Sequence, residues 1–192
     1  MATIRIAALL AALALAGCGA DAEREAVAQS PQPPRTYEAR GVTVTLPPGW
    51  HAATESLTPA LTEPREVLVV ATFPPQRRDG GCAHVAGALG DLGPSDALVT
   101  LLERGYGSDR RVFPQRPERF GPELGGPSEA SQCEPGARFD DHWFTFADGA
   151  RHFHVLVAFG PQAGAATRAE AWGVLDGLRV DPEVRPDWRA AP

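Results

Sequence analysis

The chain has 192 residues, of which 43% are hydrophobic and 22% charged, and a formal charge of −6. This suits one domain with short appendages, long enough to bury a core without structural metals. The acidic balance argues against nucleic acid as a partner, because a negative domain gains nothing from a phosphate backbone. All 18 basic residues are arginine, and Lys and Asn are absent. That usage follows GC-rich codons and carries no clue to activity. Arg77-Arg78 and Arg110-Arg111 sit beside Asp79 and Asp109 and read as solvated charge.

The first element is a leader. Arg5 supplies a positive start, and Ile6 to Ala16 is an unbroken apolar run of 11 residues. A membrane-spanning helix needs about 20 apolar residues, so this run matches the core of a secretory signal instead. It ends in Leu15-Ala16-Gly17-Cys18, which resembles the bacterial lipoprotein lipobox. The resemblance implies a diacylglyceryl thioether on Cys18 and cleavage after Gly17. Each buried methylene contributes about 0.8 kcal/mol, so two acyl chains hold a protein on a bilayer where one does not. Residues 1–17 are thus expected to be a signal peptide.

Residues 18–35 read as a tether, polar first and then Pro31-Gln32-Pro33-Pro34. Such a segment cannot bury apolar surface, and it spans roughly 20–25 Å as a flexible chain. Residues 36–182 carry the signals of a globular domain, and residues 183–192 read as a polar tail.

Within the domain, Gly41-Val42-Thr43-Val44-Thr45-Leu46 alternates like a strand and stops at Pro47-Pro48-Gly49. Glu66 to Phe73 reads as a buried strand. Ser95 to Gly105 reads as a helix, with Ser95 as cap and Leu98, Leu101 and Leu102 on one side. Trp143 to Phe159 reads as a hairpin turning at Asp148-Gly149. That register pairs Thr145 with His152 and Trp143 with His154, and it places Phe144, Phe146, Phe153, Val155, Val157 and Phe159 on one core face. Ala165 to Asp176 predicts a second helix with Ala165, Ala169, Trp172 and Leu175 as its stripe, followed by a short strand at Leu178-Arg179-Val180. The expected class is α+β, an antiparallel sheet flanked by helices.

Three features bear on chemistry. With Cys18 carrying lipid, Cys82 and Cys133 form an even pair in an oxidising compartment, which suggests a disulfide. Closing about 50 residues contributes roughly 4 kcal/mol in the chain-entropy model. A reactive thiol is the other reading, since Cys82 lies two residues before His84. His152 and His154 are two apart on a strand, so both imidazoles project from one face toward a possible metal, with Asp141 on that face and His142 on the other. Packed histidines are the plainer reading. Asp140 and Asp141 point to opposite faces and cannot share a substrate atom. No nucleophile elbow, zinc-protease helix, P-loop or dinucleotide fingerprint is present.

Leu46-Pro47-Pro48-Gly49-Trp50, Asp148-Gly149-Ala150-Arg151 and the closing run Trp172 to Val180 together resemble the small lipoproteins of high-GC Gram-positive bacteria. Their domains are similar to the PsbP-like α/β sandwich. The likeness covers both ends of the domain but not Pro74 to Arg138. It implies a scaffold that binds or assembles, without shared catalytic residues or cofactors, and an address on the outer face of the cell membrane. The leading expectation is therefore a non-enzymatic module acting on an envelope protein or wall component. A metal-binding lipoprotein using His152 and His154, or an envelope hydrolase, are the alternatives.

Overall fold

Eight strands and one α-helix organise residues 33–77, 87–105, 112–127 and 139–184, the part of the chain that the computed structural model describes. In chain order they are β1 (Arg35–Ala39), β2 (Val42–Leu46), β3 (His51–Ala52), β4 (Arg65–Ala71), β5 (Ala97–Arg104), β6 (Asp140–Asp148), β7 (Arg151–Phe159), α1 (Ala165–Asp176) and β8 (Arg179–Val180). A three-stranded sheet has the order β1-β2-β8, and a five-stranded sheet has the order β3-β4-β5-β7-β6. Every pairing within them is antiparallel. The cysteine positions Cys18, Cys82 and Cys133, with His84, lie outside the described residues.

The fold is therefore mostly β, and the helix-flanked α+β sandwich expected from the sequence is incorrect. The decisive segment is Ser95–Gly105. It is not a helix but contains β5, the central strand of the larger sheet, lying between β4 and β7. Leu98, Leu101 and Leu102 do fall at helical spacing, yet Ala97 to Leu102 is apolar or small throughout. A run of that length buried on both faces has no period to read. Its whole length from Ala97 to Glu103 is buried. Both neighbours supply backbone partners, and the sheet wins.

Turns set the remaining registers. Pro48 and Gly49 occupy the centre of a turn in which the Trp50 amide donates to the Pro47 carbonyl at 3.2 Å, and Gly49 has φ +81°. That is the conformation a Pro-Gly turn of type II requires. It swings Trp50 into the core, where 1% of its surface is exposed. The β6–β7 loop is Gly149-Ala150, closed by the pair Asp148–Arg151. The expected tips at Asp148-Gly149 are thus off by one, because Gly149, with φ +61°, takes the first loop position. Thr145 pairs with His154 and Ala147 with His152. A two-residue slide preserves parity, so Phe144, Phe146, Phe153, Val155, Val157 and Phe159 do share one buried face.

Upon that face lie β2 and α1. Val42, Val44 and Leu46 come from β2, and Ala171, Val174, Leu175 and the following Leu178 come from the helix and its exit. The spacing 171-174-175-178 is the helical stripe, rotated from the expected one: Ala169 is exposed and Trp172 only half-buried. The opposite face of the large sheet buries Val69, Ala71, Leu98, Leu156 and Ala158 under Leu57 and the 3-10 turn Gly87–Asp91. Along the outer edge of β6, the segment 112–127 supplies backbone partners: Ala147 donates to Pro114 at 2.7 Å and Trp143 to Gly126 at 2.9 Å. That edge is covered.

Candidate functional site

Buried charge is the first place to look for chemistry, because a desolvated ion needs a reason. Glu103 on β5 is 2% exposed and Arg151 on β7 is 7% exposed. The guanidinium grips the carboxylate through Nε at 2.7 Å and Nη2 at 2.8 Å. Its remaining donors reach the carbonyls of Arg40, Gly41 and Asp181, in the β1–β2 turn and just after β8. Arg151 is thus a clasp between the two sheets. Glu66 on β4 is similarly occupied: its carboxylate accepts from the amides of Leu57 and Thr58 and from the Thr58 hydroxyl at 2.7 Å. Both carboxylates hold structure, and Glu66 does so on the wall of a small opening that Glu55 also lines.

His152 and His154 share the far face of β7, as their spacing predicts. Phe113 packs across both, with ring centroids 5.1 and 5.0 Å away, and Trp143 lies 5.6 Å from His154. Asp141 is on the same face but pairs with Ala158, four residues along β7 from His154. That is about 13 Å of extended chain, so it does not complete a ligand set. Among the described residues no group of three or more His, Cys, Asp or Glu side chains converges. Both imidazoles are packed among aromatic rings.

His142 does have the opposite parity. It lies against Trp172 and Phe159 under the helix, at centroid distances of 5.4 and 6.1 Å. Asp140, on the same face, accepts from Arg168 Nη1 at 2.5 Å and sits 3.6 Å from His142 Nε2. Asp140 and Asp141 are therefore separated by the sheet itself. Arg168 also stands 4.5 Å over the Phe159 ring, so this cluster docks the helix.

Two neighbouring openings among the described residues are left unfilled by these contacts. A concavity of about 370 Å³ is lined by Arg35, His51, Ala52, Thr54, Pro74, Pro75 and Gln76. It lies where the chain enters β1, against β3 and the segment after β4. Arg35 is held in place by donating from Nη2 to the Trp50 carbonyl at 2.7 Å. Its other donors, and the polar atoms of His51, Thr54 and Gln76, have no partners among the described residues. A smaller opening of about 140 Å³ runs along β1, lined by Tyr37, Ala39 and Arg40, by the Ala53–Ser56 stretch and by Glu66, Val67 and Val69 of β4. Tyr37 bridges the two walls through its hydroxyl, which donates to the Ala53 carbonyl at 2.9 Å.

The sequence marks only the wall at Pro74, Pro75 and Gln76, as the start of a long irregular stretch; it places Arg35 in the tether and gives no signal at His51. The available signal was Arg35-Thr36-Tyr37, a β-favouring stretch directly after the prolines. Among the described residues no helix is long and apolar enough to cross a bilayer. No protein-family model matches the chain, and no curated protein matches it at a significant level.

Proposed function

We propose that this chain is a lipid-anchored protein of the bacterial cell envelope whose domain is a non-enzymatic binding or accessory module. The observation that carries the reading is the order of segments: an apolar leader, a lipobox at Leu15-Ala16-Gly17-Cys18, a proline-ended tether, and then β1. Secretion followed by acylation of Cys18 would hold the domain within a few tens of ångströms of the bilayer. The likeness to small lipoproteins of high-GC Gram-positive bacteria supports the same address. The use of the buried acids supports the non-enzymatic role: Glu66 and Glu103 are bound up in hydrogen bonds that join loops and sheets.

Expression in a Gram-positive host tests this reading. The protein is expected in the membrane fraction and in the detergent phase, with the mass of a diacylglyceryl group on an N-terminal Cys18 peptide. The Cys18→Ser variant is expected to lose that mass and leave the membrane fraction. Recovery of unmodified wild-type protein from the medium, or of an uncleaved leader from the cytosol, would reject the assignment.

A further inference from the structure

We infer that the concavity at Arg35 and His51 receives the C-terminal carboxylate of an extended peptide, which adds as a strand to the outer edge of β1. The inference deepens the binding-module reading but does not depend on the lipid anchor. Two independent features meet at this point.

The first is the chemistry of the concavity. Among the described residues its polar side chains (Arg35, His51, Thr54 and Gln76) can all donate hydrogen bonds, and no acid lines it. In a chain with 24 acidic residues against 18 basic ones, that local balance runs against the composition. A carboxylate is acceptor-only, and a guanidinium held by one donor still offers the others for a bidentate contact. The Trp50 carbonyl supplies the hold on Arg35. The volume is in the range that accommodates a small ligand group.

The second is the backbone beside it. β1 pairs only with β2 among the described residues. Its two-residue loop closes on the pair Ala39–Val42, which is a hydrogen-bonded pair in such a hairpin. Alternation then turns the amides and carbonyls of Thr36 and Glu38 to the outer edge. No backbone bond within the described residues reaches them. An extended peptide can satisfy these groups by strand addition.

Polarity links the two. β1 runs from Arg35 to Ala39, so an antiparallel newcomer ends beside Arg35 and delivers its terminal carboxylate to the donors. A parallel one would bring its ammonium there, against a guanidinium. The side chains of Arg35, Tyr37 and Ala39 share the inner face of β1, because they pair with the buried Leu46, Val44 and Val42. The incoming strand would therefore lie along the mouth between the sheets.

The test uses the mature lipoprotein in detergent micelles and a fluorescein-labelled library of eight-residue peptides, made once with free C-terminal carboxylates and once as amides. Binding is read by fluorescence polarisation. The tightest free-acid peptides are expected to bind about ten-fold or more tightly than their amides. Arg35→Gln and, separately, His51→Gln are expected to shrink that ratio toward one. Thr36→Pro removes only an outward-facing donor and is expected to weaken acid and amide alike. Tryptophan emission like that of the wild type identifies variants that remain folded; His51 is outside the buried core clusters, so His51→Gln serves if Arg35→Gln does not fold. Equal affinity for acids and amides, no binding by either library, or competition by acetate at the same carboxylate concentration as peptide would each overturn the inference. A failure here with an intact detergent-phase anchor would leave the envelope assignment standing.

Discussion

Arg151 and Glu103 meet in a two-pronged contact inside the protein, at 2.7 and 2.8 Å. Arg65 stands across from Glu103 in the adjoining strand pair. The same arginine reaches the turn of the β1–β2 hairpin, so one side chain ties the large sheet to the small one. Replacing Arg151 by Met strands a carboxylate in the core and is expected to cost about 3–5 kcal/mol. Replacing both partners, as Glu103→Leu/Arg151→Met, is expected to recover much of that loss, since a packed apolar pair avoids the desolvation penalty. Urea denaturation of the four proteins in the cycle measures it. Equal destabilisation by single and double variants would show that the turn carbonyls, not the ion pair, carry the energy.

Glu66 acts locally. Its carboxylate gathers the amides of Leu57 and Thr58, which drapes the Ala53–Thr58 stretch over the second face of the sheet. Glu66→Gln removes the charge and one acceptor, and is expected to cost about 1.5–3 kcal/mol. Amide hydrogen exchange should accelerate first at Leu57 and Thr58. Unchanged exchange there would mean that Leu57 packing alone holds the stretch.

Close backbone approach excludes a side chain most severely at Gly160. A Cβ on Gly160 would meet the Gly93 carbonyl oxygen at 2.1 Å and the Pro94 carbonyl oxygen at 2.4 Å. Main chain cannot rotate out of the way as a side chain can, so Gly160→Ala is expected to lose several kcal/mol, on the order of other overpacked sites. Gly126→Ala, where nothing lies within 4 Å, is the control and should shift the melting temperature little.

The histidine pair gives a metal prediction. Phe113 lies against both imidazoles, and Asp141 is displaced along the strand. The heat of zinc binding is expected to be the same for wild type and for His152→Ala/His154→Ala in calorimetric titration. A loss of zinc affinity in that variant would revive the metal reading and require Phe113 to move.

Local patterns were readable where burial is one-sided. The hairpin face, the opposite parity of His142 and the helix at Ala165–Asp176 all follow from alternation or a 3.6-residue period written in the chain. So does the Leu46-Pro47-Pro48-Gly49-Trp50 turn, whose chemistry admits little else. The hairpin register failed by one loop position because Asp-Gly and Gly-Ala are both acceptable tips, and parity survives either choice.

Residue order alone thus determined the apolar face of the β6–β7 hairpin and the extent of the helix, and it carries the proposal of a leader, an acylated Cys18 and a tether, because each rests on neighbours in sequence. Three outcomes waited for the folded chain: β5 as a strand, the Glu103–Arg151 clasp, and the donor-lined concavity at Arg35. Their partners lie 48 residues apart for the clasp and come from three separate segments for the concavity. Such sites exist only after the sheets close, since burial on two faces erases the local period and hydrogen-bond partners are chosen by proximity in space.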